Sequence, residues 1–198
     1  MNKLFFITLL FSSFLWSQEV QNQQNLVHPD FAIGIVTNNY FGENYLSKGH
    51  QNRSIGIQIK SNWIHYNDFS LGIGLEKSTQ KVIDKSIGGN IDKSNTNSIF
   101  GTLSYKIPVN NELIISPELN YGGIELRQKS GGKFYGEQNG TRYGAGININ
   151  YMFEKYFSIY SNVSYSDYNF NTKTSQEYLD YFKNATAISI SIGIKFHS

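Results

Sequence analysis

The sequence has no cysteine, only 3 prolines and only 16% charged residues. Without cysteine, neither disulfides nor thiolate metal sites can hold the fold together. After the N-terminal stretch, where a retained membrane anchor is the alternative to a signal peptide, no segment has the run of about 20 apolar residues that a transmembrane helix needs. Charged residues are well below the about 25% of ordinary soluble domains, whereas aromatic residues reach 15%. Few charges and many aromatics, with apolar residues spread out, are typical of membrane β-barrels.

The N-terminus has the pattern of an export signal. Lys3 provides a positive charge, and Leu4–Trp16 is an apolar stretch too short to cross a bilayer. Ser17 is a small residue of the kind that precedes a cleavage site. The sequence therefore predicts a signal peptide over 1–17, a short periplasmic segment over 18–30 and one β-barrel domain over 31–198.

Eight segments alternate apolar and polar residues with a period of two. In the clearest, the apolar positions are Ile188, Ile190, Ile192, Ile194 and Phe196. Successive side chains of a strand point to opposite faces, so each segment has one apolar and one polar face. Behind an export signal, this pattern predicts an all-β fold, an eight-stranded antiparallel up-and-down transmembrane β-barrel.

The predicted connections alternate between short turns and long polar loops. The turns lie near Asn67, Asn110 and Glu154, and the loops cover 40–52, 79–94, 127–140 and 171–184. Outer-membrane barrels have short periplasmic turns and longer extracellular loops, so both termini are expected in the periplasm. Aromatic girdles are expected at both ends of the barrel. At the turn end these are Trp63, Phe69, Tyr105, Tyr151, Phe153, Phe157 and Phe196, and at the loop end Tyr40, Tyr121, Tyr143, Tyr165 and Tyr168.

The export signal, the eight alternating segments and the C-terminal stretch Ile192-Gly193-Ile194-Lys195-Phe196 resemble the OmpA/OmpX-like barrel family. The richness in Asn, Lys and Ile is similar to the Bacteroidetes-type members of that family. The resemblance implies the outer membrane of a Gram-negative cell envelope, and a terminal aromatic strand that the outer-membrane assembly machinery recognises. In this chain His197 and Ser198 follow that aromatic residue. We expect a monomer surrounded by outer-membrane lipid and lipopolysaccharide.

A soluble lipocalin-like barrel is the alternative fold, with its apolar face turned inward around a ligand. Two observations oppose it. The polar face is mostly Gly, Ser, Asn and Thr, unlike a water-facing exterior. Bulky aliphatic residues on every strand would also overcrowd an eight-stranded interior. The two folds differ in the direction that the isoleucines take.

If the apolar face meets lipid, several charged residues point into the lumen. These are Lys60, Glu76, Lys106, Glu118 and Lys195. Because an eight-stranded lumen is just wide enough for side chains to fill, and buried charges need partners, we predict ion pairs across neighbouring hairpins. Lys60 is expected to meet Glu76, and Lys106 to meet Glu118. A plug of satisfied polar groups is the favoured interpretation, and a narrow gated pore is the alternative.

The fourth long loop carries a helix signal. Thr174 and Glu177 have capping-box spacing. Apolar and aromatic residues follow at helical spacing, namely Tyr178, Leu179, Tyr181 and Phe182. We expect a short helix that either covers the lumen as a lid or contacts an extracellular ligand.

No catalytic, metal or cofactor site stands out. The histidines, His28, His50, His65 and His197, are too scattered for a metal site, and a net charge of +2 does not favour nucleic acid. Some barrels of this size modify lipid A with a His and a hydroxyl or Asp near the outer leaflet; here only His50, close to Ser47, is on that side. We predict a non-enzymatic structural, surface-display or adhesive protein acting through four loops. A narrow pore and a lipid A-modifying enzyme are the alternatives.

Overall fold

The computed structural model describes residues 27–88 and 90–197. The predicted signal peptide and the N-terminal part of the predicted periplasmic segment lie outside these residues. The main strands are β1 Val27–Phe41, β2 Arg53–Tyr66, β3 Phe69–Lys81, β4 Lys93–Tyr105, β5 Leu113–Ser130, β6 Lys133–Glu154, β7 Phe157–Phe170 and β8 Asn184–Phe196. Ile107–Pro108 adds a two-residue extension that pairs with β5. No helix within the described residues is long and apolar enough to span a membrane.

The strands form one closed antiparallel ring. Each strand pairs with its neighbours in sequence, and β1 pairs with β8 from Phe31 opposite Phe196 to Phe41 opposite Thr186. Closure pairs the strands on both sides around the barrel, and residues 133–139 of β6 extend beyond its pairing with β7, which begins at Gly140 opposite Phe170. The predicted eight-stranded antiparallel up-and-down barrel is confirmed, and β1 begins at Val27, four residues before the predicted start of the domain.

The isoleucines point outward and the small polar residues point inward. Ile35 and Ile192 are 67% and 60% exposed, whereas Gln58 and Ser191 on the opposite faces are 3% and 1% exposed. A soluble carrier would bury the aliphatic face, so the lipocalin alternative is wrong. The outside of the barrel is instead an apolar belt, as a membrane-spanning barrel requires.

One predicted aromatic girdle is confirmed completely and the other only in part. All seven aromatics assigned to the turn end face outward, as do Tyr121, Tyr143 and Tyr165 at the loop end. Tyr40 and Tyr168 were assigned wrongly, since both are buried in the lumen with their rings 5.9 Å apart. Tyr40 belongs to the alternating series of Val36 and Asn38, which points inward. Its distance along the strand was predicted correctly, but its face was not.

The stretch 127–140, predicted as a polar loop, is a β-hairpin. Strands β5 and β6 continue pairing through it and turn at Gly131 and Gly132. Both glycines have positive φ, +52° and +79°, the conformation that two-residue hairpin turns favour. The polar residues of this stretch therefore lie on a rigid extension of the barrel wall.

The other long connections contain short helices. These are α1 Tyr45–Lys48, α2 Lys85–Gly88, a 3₁₀ turn at Gln176–Tyr178 and α3 Leu179–Lys183. In the first loop, the Asn44 side chain accepts a hydrogen bond from the Ser47 amide at 3.0 Å and caps α1. The predicted capping box in the fourth loop is wrong, because Ser175, and not Thr174, is the N-cap and its side chain makes no capping bond. The helical turn itself is present.

Candidate functional site

The centre of the lumen is organised around the Glu76 carboxylate. It accepts hydrogen bonds from Arg142 Nη1 at 2.9 Å, Asn38 Nδ2 at 2.9 Å and Gln58 Nε2 at 3.0 Å. The Arg142 guanidinium also lies 4.3 Å from the centroid of the Phe100 ring. All five side chains are buried. Buried charges are tolerated when they are paired and hydrogen-bonded, and this cluster meets that condition.

A second ion pair lies nearer the periplasm and joins opposite sides of the barrel. Lys60 Nζ is 2.6 Å from Glu118 Oε1, and Asn148 Nδ2 donates to Glu118 Oε2 at 2.9 Å. The predicted Lys60–Glu76 pair is therefore wrong. Lys60 lies opposite Gly74 on β3, and the Glu76 carboxylate is occupied by Arg142. In so narrow a lumen, a partner across the axis is as accessible as one on the next strand.

The remaining predicted lumen charges lie at the periplasmic end. Lys195 Nζ is 2.9 Å from Asp30 Oδ2, and Lys106 Nζ is 3.3 Å from His65 Nδ1. The predicted Lys106–Glu118 pair is wrong, because Lys60 takes Glu118. The five charged residues predicted from the sequence therefore face the interior but belong to separate clusters.

Arg142 is the charged residue of the lumen that the sequence analysis missed. It lies at the boundary of the stretch taken as a loop, so its side chain was not assigned to a face. Arg142 precedes Gly144 and Gly146 by even steps, and the two glycines belong to the inward series of β6. Extending that alternation two residues further would have placed the guanidinium in the lumen.

An apolar cluster closes the extracellular end of the barrel. We call it the mouth plug; its buried members are Tyr40, Tyr45, Leu46, Ile124, Leu126, Tyr168, Phe170, Ala185 and Ala187. Helix α1 contributes Tyr45 and Leu46 from the first loop. The hydroxyl of Tyr45 accepts a hydrogen bond from Gln128 Nε2 at 3.0 Å, and burial raises the pKa of Tyr45 to about 12. The interior at this end is therefore filled by strand residues together with Tyr45 and Leu46 of the first loop.

Two of the four predicted loop contacts belong to this closure. Tyr181 and Phe182 are partly buried against the mouth plug, and the Phe182 ring lies 5.2 Å from that of Tyr45. Leu179 is half-buried, and only Tyr178 is exposed. The lid interpretation therefore describes Tyr181 and Phe182, while Tyr178 stays available for an external contact.

His50 is buried and bonded to a hydroxyl. Its Nε2 lies 2.8 Å from Ser94 Oγ, and its Nδ1 lies 3.2 Å from the Tyr45 carbonyl oxygen. The hydroxyl of Ser47, the nearest to His50 in sequence, instead donates to the Gly42 carbonyl oxygen and accepts from the Asn44 amide at 3.4 Å. Burial lowers the pKa of His50 because it disfavours the charged imidazolium. His50 and Ser94 are 0% and 1% exposed, so the pair ties the first loop to β4 and offers no surface to a substrate.

A row of lysines crosses three strands on the outer surface near the extracellular end. Lys81 of β3 is directly opposite Lys93 of β4, which is directly opposite Lys129 of β5. Like charges in directly opposed positions destabilise a sheet. Within the described part of the chain, none of the three ammonium groups forms an ion pair. Residues 27–88 and 90–197 also contain no group of three His, Cys, Asp or Glu side chains placed to hold a metal ion.

Solved outer-membrane barrels are similar to this chain. The attachment invasion locus protein Ail of Yersinia pestis is 15% identical with a TM-score of 0.55, over 87% of this chain and 99% of Ail. Neisserial surface protein A is 12% identical with a TM-score of 0.60, over 86% and 96%. A major outer membrane protein from Thermus thermophilus is 10% identical with a TM-score of 0.56, over 86% and 99%. No family model and no curated protein matches the sequence.

At these identities the similarity shows the fold, which is that of eight-stranded outer-membrane barrels. The apolar belt leads to the same location independently. An outward aliphatic surface between two aromatic girdles is stable in a bilayer and not in water. The protein is a transmembrane barrel of the bacterial outer membrane, as the sequence predicted.

Proposed function

We propose that this chain is a non-enzymatic, monomeric surface-display protein, a Bacteroidetes-type member of the OmpA/OmpX-like family, that adheres through its extracellular end. The observation that carries the proposal is the β5–β6 hairpin. Phe134 and Tyr135, just beyond its turn, are 59% and 61% exposed. Exposed aromatic side chains on a rigid support are typical of binding surfaces.

Hydrogen bonds and ion pairs fix the conformation of the hairpin. Asp92 accepts hydrogen bonds from the Gly131 amide at 2.8 Å and the Ser130 hydroxyl at 3.2 Å. These bonds lower the pKa of Asp92. Arg127 pairs with Glu125 at 2.8 Å and with Glu137 at 3.3 Å across the hairpin. A pre-organised hairpin loses less conformational entropy when it binds than a mobile loop does.

The proposed membrane partners are lipopolysaccharide on the outside and the assembly machinery on the inside. The opposed lysines Lys81, Lys93 and Lys129 carry positive charge at the level of the outer-leaflet headgroups. Lipopolysaccharide phosphates would neutralise this charge. Ail has been solved in complex with a heparin analogue, sucrose octasulfate. By analogy, we propose that the extracellular end of this chain binds a polyanion. Phe196 on the outer face of β8 is the aromatic residue that we propose for recognition during assembly.

An adhesion assay tests the display function. Cells of a non-adherent Gram-negative host expressing the protein are expected to attach several-fold better than vector-only cells to heparin-coated plates or to epithelial monolayers. The double change Phe134→Ser with Tyr135→Ser should remove most of this gain. Tyr156→Ser, which removes an exposed aromatic from the periplasmic turn after β6, should leave attachment within twofold. Equal attachment of expressing and vector-only cells, at confirmed surface amounts, would contradict the proposal.

A further inference from the structure

The periplasmic half of the lumen contains a cavity of about 370 Å³. Strands β1, β2 and β4–β8 line it, and the Lys60–Glu118 pair lies in its wall. Beyond that pair, the Glu76–Arg142 cluster and the mouth plug fill the lumen toward the extracellular side. The cavity therefore opens toward the periplasm, and its volume is in the range of small-ligand sites.

The lining of the cavity has more positive groups than carboxylates. It contains three lysines, Lys60, Lys106 and Lys195, and two carboxylates, Asp30 and Glu118. Both carboxylates already have a lysine partner, Glu118 at 2.6 Å from Lys60 and Asp30 at 2.9 Å from Lys195. Lys106 is the third cation. Among the described residues, no carboxylate lies within 4.0 Å of its ammonium group.

Two histidines lie beside the same carboxylate. His197 Nδ1 is 3.3 Å from Asp30 Oδ1, and His65 Nε2 is 3.8 Å from Asp30 Oδ2. One carboxylate is therefore shared among Lys195 and two imidazoles, while Lys106 contacts the far nitrogen of His65 at 3.3 Å. Cations confined in a partly enclosed, low-dielectric space repel one another more strongly than they do in water. An anion placed among them would relieve that repulsion.

We propose that this cavity is a binding site for a small oxyanion of the phosphate type, entering from the periplasm. Lys106 and Lys195 supply the charge, and the imidazoles of His65 and His197 lie beside them in the cavity wall. The paired strands of the barrel wall separate the cavity from the membrane lipid. The ligand is accordingly a free anion, and a phospholipid headgroup is the competing source of the same chemistry.

NMR titration in phosphate-free maltoside micelles tests the site directly. Inorganic phosphate, added at constant ionic strength against sodium chloride, should produce saturable shifts in the ring resonances of His65 and His197. Lys106→Met should weaken the apparent affinity at least tenfold. Lys155→Met removes an exposed lysine from the turn after β6 and should change the affinity less than twofold.

Several outcomes would overturn the proposal. These are shifts that do not saturate, shifts that chloride reproduces at equal ionic strength, and equal losses in the Lys106 and Lys155 variants. If short-chain phosphatidylglycerol shifts the histidine resonances and inorganic phosphate does not, the site binds a lipid headgroup. That result would overturn the proposal of a free anion as the ligand. Heat-modifiable gel mobility checks folding of each variant. If Lys106→Met fails that check, Lys106→Gln replaces it, and the titration of the unaltered protein decides on its own.

Discussion

The ammonium group of Lys60 crosses the lumen to lie 2.6 Å from Glu118, while Glu76, on the strand next to Lys60, is bound by Arg142 at 2.9 Å. The two ion pairs therefore connect strands that are not neighbours in the barrel. They also differ in surroundings. The Lys60–Glu118 pair borders the periplasmic cavity, whereas Arg142 is enclosed on all sides and contacts the Phe100 ring.

This difference predicts unequal costs for breaking the two pairs. Arg142→Met should lower the free energy of unfolding by about 3–5 kcal/mol, because it leaves the Glu76 charge buried without its cation. Glu118→Gln should cost less, about 1–3 kcal/mol, because water in the cavity can reach Lys60 and the glutamine can still accept a hydrogen bond. Urea unfolding in detergent micelles measures both. A larger loss for Glu118→Gln would contradict the assignment of Arg142 and Glu76 as the enclosed pair.

Two barriers in series predict a barrel that does not conduct. The mouth plug closes the extracellular end, and the Glu76–Arg142 cluster fills the middle. Planar-bilayer recordings should therefore show no steady channel in the unaltered protein or in Glu118→Ala. Steady conductance is expected only when the first loop is shortened to remove α1 and Glu76→Ala is combined with it. A channel in the unaltered protein would favour the narrow pore instead.

The alternation of side chains was enough to predict the barrel, its eight strands and the outward direction of the isoleucines, because the period of two is a local property of each strand. Ion-pair partners are not local. Lys60 and Glu118 are 58 residues apart in sequence, and only closure of the ring brings them together. The mouth plug was missed for a similar reason. Tyr45 and Leu46 stand in a polar stretch, and nothing in that stretch indicates that the lumen will accept them.

The buried His50 predicts that the first loop loosens in mild acid. Burial lowers the pKa of His50 in the folded state below its usual value of about 6.5. The unfolded loop therefore binds a proton more readily, so stability is complete above about pH 6.5 and is lost progressively as the pH falls below it. Hydrogen exchange of the α1 amides should be faster at pH 5.5 than at pH 7.5, after correction for the intrinsic rate.

His50→Gln is the matched control for this pH dependence. Glutamine can still hydrogen-bond Ser94 and the Tyr45 carbonyl, but it does not titrate. The variant should show loop exchange that is uniformly faster and independent of pH between 5.5 and 7.5. The same acid sensitivity in His50→Gln would show that another group controls the loop.

The row of opposed lysines predicts two effects of opposite sign from one substitution. Lys93→Glu turns two like-charge pairs, with Lys81 and Lys129, into opposite-charge pairs. In detergent at low salt this should raise the free energy of unfolding by about 0.5–1 kcal/mol, since cross-strand charge pairs contribute a few tenths to 1 kcal/mol each. If the row is there to bind lipid phosphates, the same variant should retain several-fold less lipopolysaccharide when purified from outer membranes. Lys155→Glu, at the periplasmic end, is the control and should change neither quantity. A stabilised variant that keeps its lipopolysaccharide would mean that the lysines repel each other without serving this partner.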